Sequence, residues 1–172
     1  MRHRLDTNEA IRSILLSNGY DADKFLKSLD DVCKDVAFCK MVPICDDLSP
    51  IFNDLKSRNL KIAILTSDDR ANCEIFLDRE GLTVDAMVCG DDGRGSKPSA
   101  EPIESIAADL MIDPSEIIMV GDSSHDIDSA TSAGAKSIGV LSGVGTAASL
   151  NRADFLLPSI VGVPNLMDEI MM

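Results

Sequence analysis

Apolar residues recur at helical spacing through the first third of the chain and then change their texture. The first stretch sets Ala10, Ile11, Ile14 and Leu15 on one face, with Thr7 able to cap it and Gly19 where a helix-ending glycine belongs. A second stretch opens at Asp21, a capping residue, and carries Phe25, Leu26, Leu29, Val32, Cys33 and Val36. A third runs from about Asp47 to Arg58, with Leu48, Ile51, Phe52 and Leu55 as its stripe and Pro50 in the first turn, where a missing N–H does little harm.

After Asn59 short apolar runs alternate with helical patterns. The runs are Lys61–Thr66, Ala86–Cys89, Glu116–Val120, Ser137–Leu141 and Asp154–Leu157. Helices are expected near Asp69–Glu80, Ala100–Leu110, His125–Ala133 and Val163–Ile170, with a short one near Thr146–Asn151. Gly81 and Gly134 stand at helix ends. Strands apolar on both faces and separated by helices imply an α/β fold, a Rossmann-like parallel sheet covered by helices. The pattern divides the chain into a helical appendage over 1–40 and an α/β core over 41–172.

Composition narrows the function. The net charge of −13 argues against nucleic acid, because phosphate backbones demand Lys and Arg. A phosphorylated small molecule stays compatible with that charge, since a bound divalent cation reverses the local field of an acidic cleft. No apolar run reaches the roughly 18–20 residues that cross a membrane, and the basic start Met1-Arg2-His3-Arg4 leads into an amphipathic stretch, so a cytoplasmic protein is expected. The five cysteines are scattered, with no CxxC pair, and read as buried reduced thiols.

Candidate chemistry stands at three strand ends, where sheets of this type place it. The first run ends in Thr66-Ser67-Asp68. The loop Gly90–Ser96 leads to Lys97-Pro98. The run Ile117–Val120 ends in Gly121-Asp122-Ser123-Ser124-His125-Asp126. A hydroxyl donor (Thr66 or Ser67), a fixed cation (Lys97) and a hard oxygen ligand for Mg²⁺ (Asp122) are the set that phosphoryl transfer needs. Asp126 lies one helical turn further on and can hold a metal-bound water or orient the lysine. A receiver-type signalling domain uses similar groups but places its acidic cluster first and its lysine last. A dinucleotide site is not matched by Gly90-Asp-Asp-Gly93-Arg-Gly95.

The segments KIAILTSDDR, GSKPSAEPI and IIMVGDSSHDIDSATSAGAKSIGVLSG resemble motifs two, three and four of the haloacid dehalogenase superfamily, most of all its phosphoglycolate-phosphatase type. The resemblance implies that Thr66 binds phosphate, that Lys97 neutralises phosphate and nucleophile, that Asp122 ligates Mg²⁺ and that Asp126 supports the metal site. It implies hydrolysis of a small phosphorylated metabolite through an aspartyl phosphate. It also makes the opening helices the end of a partial helical cap, and Gly139–Gly145 a structural loop.

One part of that pattern is missing. The superfamily's first motif is an apolar strand ending in Asp-x-Asp, placed mid-sheet between the strands that end in Thr66 and Asp122. Asp6 has no strand before it. Asp46 follows a run broken by Pro43 and has Leu48 two residues on. The expectation is therefore a truncated, inactive version of a phosphatase, with a non-catalytic phosphate- or metal-binding protein on the same fold as the alternative. The slot is expected to be closed up, filled by another segment or poorly folded, and an exposed gap would favour self-association.

Overall fold

The computed structural model describes residues 11–33 and 47–171. It divides into two compact units, Met1–Val42 and Pro43–Met172. In the first, α1 covers residues 11–17 and α2 spans Ala22–Cys33. Thr7, Ala10, Val36, Cys39 and Cys45 lie outside the described residues, as do Asp6 and Asp46. Asp21 Oδ1 accepts from the Lys24 N–H at 3.0 Å, as a capping residue should, and Gly19 turns the chain at φ 76°. On these helices Ile14 is 63% and Phe25 47% exposed, while Ala22 is buried.

In the second unit the elements alternate as expected. They are α3 (Ser49–Ser57), β1 (Ala63–Leu65), α4 (Arg70–Glu80), β2 (Ala86–Val88), α5 (Glu101–Leu110), β3 (Ile118–Gly121), α6 (Ser124–Ala133), β4 (Lys136–Val140), β5 (Phe155–Leu157) and α7 (Val163–Ile170). The expected helix near Thr146–Asn151 is a series of turns instead. Thr146 and Ser149 exchange backbone-to-side-chain hydrogen bonds, the Thr146 N–H to Ser149 Oγ at 2.9 Å and the Ser149 N–H to Thr146 Oγ1 at 3.2 Å. These are bonds of the helix-capping kind, and the Leu150 N–H donates to the Thr146 carbonyl at 3.0 Å, but the single turn is not continued.

All strand pairings are parallel, but they form two sheets. β1 pairs with β2; β3, β4 and β5 form the other in that order. Among the described residues no hydrogen bond joins β1 to β3, and no other described strand pairs with the second edge of either. Every residue of β1 and β3 is only half-buried, whereas β4, paired on both sides, buries four of its five.

Packing across the strands follows the two-residue period. Ile118 and Val120 face α7 with Ile138, Val140 and Leu166. Ile117 and Met119 face the other way, onto Ile103 of α5 and Ala130 of α6, and Leu65 of β1 reaches that same cluster. Ile103 and Ile138 are 1% and 0% exposed, so each stabilises the fold by about 1.5–3 kcal/mol. The α5–α6 layer thus holds the two sheets on a common support and brings the ends of β1 and β3 to one side of it.

Candidate active site

Three connections leave the carboxyl ends of β1, β2 and β3, and they are tied to one another. After β1, the Thr66 N–H donates to the Val88 carbonyl at 3.0 Å, continuing the ladder, and Thr66 Oγ1 accepts from the Asp68 N–H at 3.1 Å. After β2, Gly90 comes so close that a Cβ there would lie 2.3 Å from the Ser67 carbonyl oxygen. Its N–H donates to the Asp68 carbonyl at 2.8 Å. Ser67 itself is exposed.

The same corner is clamped by Arg70. Its Nε and Nη2 donate to the two oxygens of Asp92 at 2.8 and 2.6 Å, and Asp92 Oδ2 also accepts from the Cys89 N–H at 2.7 Å. The guanidinium fork holds the Asp92 carboxyl below its usual range, against the opposing effect of burial. Beneath it lie Cys73 and Cys89, both reduced and buried, as the cysteine pattern predicts for these two. Burial pushes the Cys73 thiol up to about 12.

Lys97 and Asp126 are in direct contact. Lys97 Nζ donates to Asp126 Oδ1 at 2.6 Å, and the two side chains are 16% and 5% exposed. Asp126 Oδ2 accepts from the Ser123 N–H at 3.0 Å and from Ser123 Oγ at 2.7 Å. Burial alone would raise the Asp126 carboxyl; the Lys97 and Ser123 hydrogen bonds outweigh it and hold the group below its ordinary value. The loop carrying Lys97 is pinned to α6 by Ser129 Oγ, fully buried, donating to the Ser99 carbonyl at 2.7 Å. Both oxygens of Asp126 are engaged, Oδ1 by Lys97 and Oδ2 by Ser123.

Asp122 directly follows β3 and is half-buried. Its Oδ2 accepts from the Val144 N–H at 2.8 Å, in the loop after β4. Of the expected site residues, the fold thus joins Lys97 to Asp126 and sets Asp122 four residues before it. Thr66 stands at the end of β1 and makes no hydrogen bond to Lys97, Asp122 or Asp126 among the described residues. Ser123 and Val144 are contributors that the sequence reading missed. Ser123-x-x-Asp126 is the spacing of a capping box, a signal that was available; the Val144 contact joins residues 22 apart and has no local signal.

A cation fits here in one limited way. Among the described residues no three His, Cys, Asp or Glu side chains gather into a metal cluster. Asp122 Oδ1, however, receives no hydrogen bond from the described residues, and one carboxylate oxygen with retained waters is a normal Mg²⁺ setting. A cleft of about 500 Å³ in the first unit, lined by Leu15, Tyr20 and Phe25, holds none of these groups. No described helix is long and apolar enough to cross a membrane.

The family model for haloacid dehalogenase-like hydrolases matches residues 4–140. A pyrophosphatase, PpaX of Bacillus velezensis, is 37% identical over 90 residues, 51% of this chain and 42% of that protein. A phosphoglycolate phosphatase of Neisseria meningitidis is 32% identical over 120 residues, 67% of this chain and 51% of its own. A solved hydrolase of the same superfamily from Entamoeba histolytica superposes with a TM-score of 0.69 at 23% identity, covering 88% of this chain and 72% of that one. The chain spans about half the length of the curated relatives it matches. With a family model covering most of its residues, the chain belongs to the haloacid dehalogenase-like hydrolases.

Proposed function

We propose that this chain carries the phosphate-binding and cation-binding part of a Mg²⁺-dependent phosphomonoester hydrolase acting on a small phosphorylated metabolite. The observation that carries the reading is the buried Lys97–Asp126 pair beside Asp122, at the end of β3. Lys97 would meet a phosphoryl oxygen with a cation already held in direction by Asp126, so little reorganisation is needed on binding. Thr66 would donate its hydroxyl and Ser67 its backbone N–H to a second oxygen. Asp122 Oδ1 would hold Mg²⁺, with Asp126 supporting the site through Lys97; the ion would supply positive charge to the phosphoryl oxygens. The names of the Bacillus and Neisseria relatives favour a compact anion such as phosphoglycolate or pyrophosphate as substrate.

In this reading the attacking aspartate belongs to an apolar strand ending in Asp-x-Asp, a segment not found in these 172 residues. The separation of β1 from β3 supports the idea that such a strand would lie between them. Residues 1–40 would be the end of a helical cap, and 41–172 the core. The chain alone is then a binder of phosphate and cation with no turnover of its own. Purified chain is expected to leave p-nitrophenyl phosphate unhydrolysed in Mg²⁺. Mg²⁺-dependent turnover abolished by Asp122→Asn would overturn the inactive-chain reading. An upstream coding sequence without an in-frame apolar run and Asp-x-Asp would overturn the longer-enzyme reading and favour a regulatory binding protein.

A further inference from the structure

The loop after β4, Leu141–Gly145, meets Asp122 at three consecutive residues in a way that the phosphatase reading does not use. The Val144 N–H donates to Asp122 Oδ2 at 2.8 Å, although Val144 itself is 84% exposed. Immediately before it, a Cβ placed on Gly143 would lie 1.9 Å from Asp122 Oδ2, 2.4 Å from Cγ and 2.5 Å from Cβ. A Cβ on Gly145 would lie 2.3 Å from the Asp122 carbonyl oxygen and 2.8 Å from Leu150 Cδ1, and Leu150 is 1% exposed. Neither glycine has its φ in the left-handed region. Any L-residue could adopt these backbone angles, so it is space beside Asp122, not conformation, that requires glycine.

We propose that the Gly143–Val144 peptide positions the Asp122 carboxylate: it occupies Oδ2 with a backbone donor and leaves Oδ1 as the cation ligand. The device makes sense physically. A lone carboxylate at a strand end rotates about its Cβ–Cγ bond and presents either oxygen. A backbone N–H on one oxygen, with a glycine packed against the carboxyl carbon, removes that freedom before the cation arrives. Val144 serves through its N–H, so its side chain is free to vary; Gly143 serves by having none. The cation half of this inference rests on Asp122 being a cation ligand; the clamp itself does not.

The test uses the full chain and two readouts. The first is protection of the Val144 amide from hydrogen exchange, read by ¹H–¹⁵N NMR at one pH. This protection, the amide response, is expected to be lost in both Asp122→Ala and Gly143→Ala. The second is Mn²⁺ binding by electron paramagnetic resonance. Gly143→Ala is expected to weaken it at least tenfold, with far-ultraviolet circular dichroism unchanged. A Val144 amide indifferent to Asp122→Ala overturns the proposal, as does a Gly143→Ala chain that keeps both the amide response and wild-type Mn²⁺ affinity. If Asp122→Ala and Gly143→Ala abolish the amide response but the wild-type chain binds no Mn²⁺, the clamp is supported and the cation reading of Asp122 falls.

Discussion

Lys97 Nζ lies 2.6 Å from Asp126 Oδ1, and the carboxylate that receives it is 5% exposed and held from its other side by Ser123. A buried pair of this kind need not stabilise more than an apolar pair of similar shape, yet losing one partner leaves an uncompensated charge. Lys97→Ala is therefore expected to cost about 3–5 kcal/mol in urea denaturation. The double variant Lys97→Met/Asp126→Leu should cost clearly less than the two single changes summed. Additive costs would mean that the two groups are not coupled.

The same carboxylate makes stability depend on pH in a defined direction. Asp126 and Asp92 both sit below their ordinary value of 3.8 in the folded chain. The unfolded chain therefore takes up these protons first. The stability they supply is complete above about pH 5 and is lost as pH falls through 3.8 toward the lower folded values. The urea midpoint should drop between pH 5 and 3, and Asp126→Asn should flatten that drop. An unchanged slope in the variant would show that Asp126 does not contribute.

Gly121 is set by the same group. A Cβ there would lie 2.3 Å from Asp126 Cβ and 2.4 Å from its Cγ. Because Asp126 is fixed by three hydrogen bonds, it cannot step aside cheaply. Gly121→Ala is expected to destabilise by about 1–3 kcal/mol, read as a lowered thermal midpoint. Retention of the wild-type midpoint would mean that the strand end is more compliant than this packing implies.

The two-sheet arrangement predicts an order of amide exchange. β4 is paired on both sides, while β1 and β3 each pair on one. Amides of Ser137–Val140 should exchange slowest, and those of Ala63–Leu65 and Ile118–Val120 that face away from β2 and β4 should be the first strand amides to exchange. Uniform protection across β1, β3 and β4 would show that the open edges are covered.

Much of this was legible in the residues because it is local. Strand-ending Thr66 and Asp122, the Asp126 spacing and the parallel α/β class all come from short-range patterns. The one-turn spacing of Asp126 brings it into contact with Lys97. What escaped is long-range or competitive. Arg70 meets Asp92 across 22 residues, and Val144 meets Asp122 across another 22. Thr146–Asn151 has helical spacing and closes one helical turn, Leu150 N–H to the Thr146 carbonyl, that does not continue into a helix. Ile14 and Phe25 show the right period for a buried face, but periodicity does not say what covers it.

Calorimetric titration of the full chain with orthophosphate, with and without Mg²⁺, tests most directly whether Thr66, Lys97 and Asp122 make one anion site. Binding that requires Mg²⁺ and disappears in both Lys97→Ala and Asp122→Asn, each checked for retained fold, is the predicted result. No heat at any concentration up to the millimolar range, or binding indifferent to both substitutions, would contradict it.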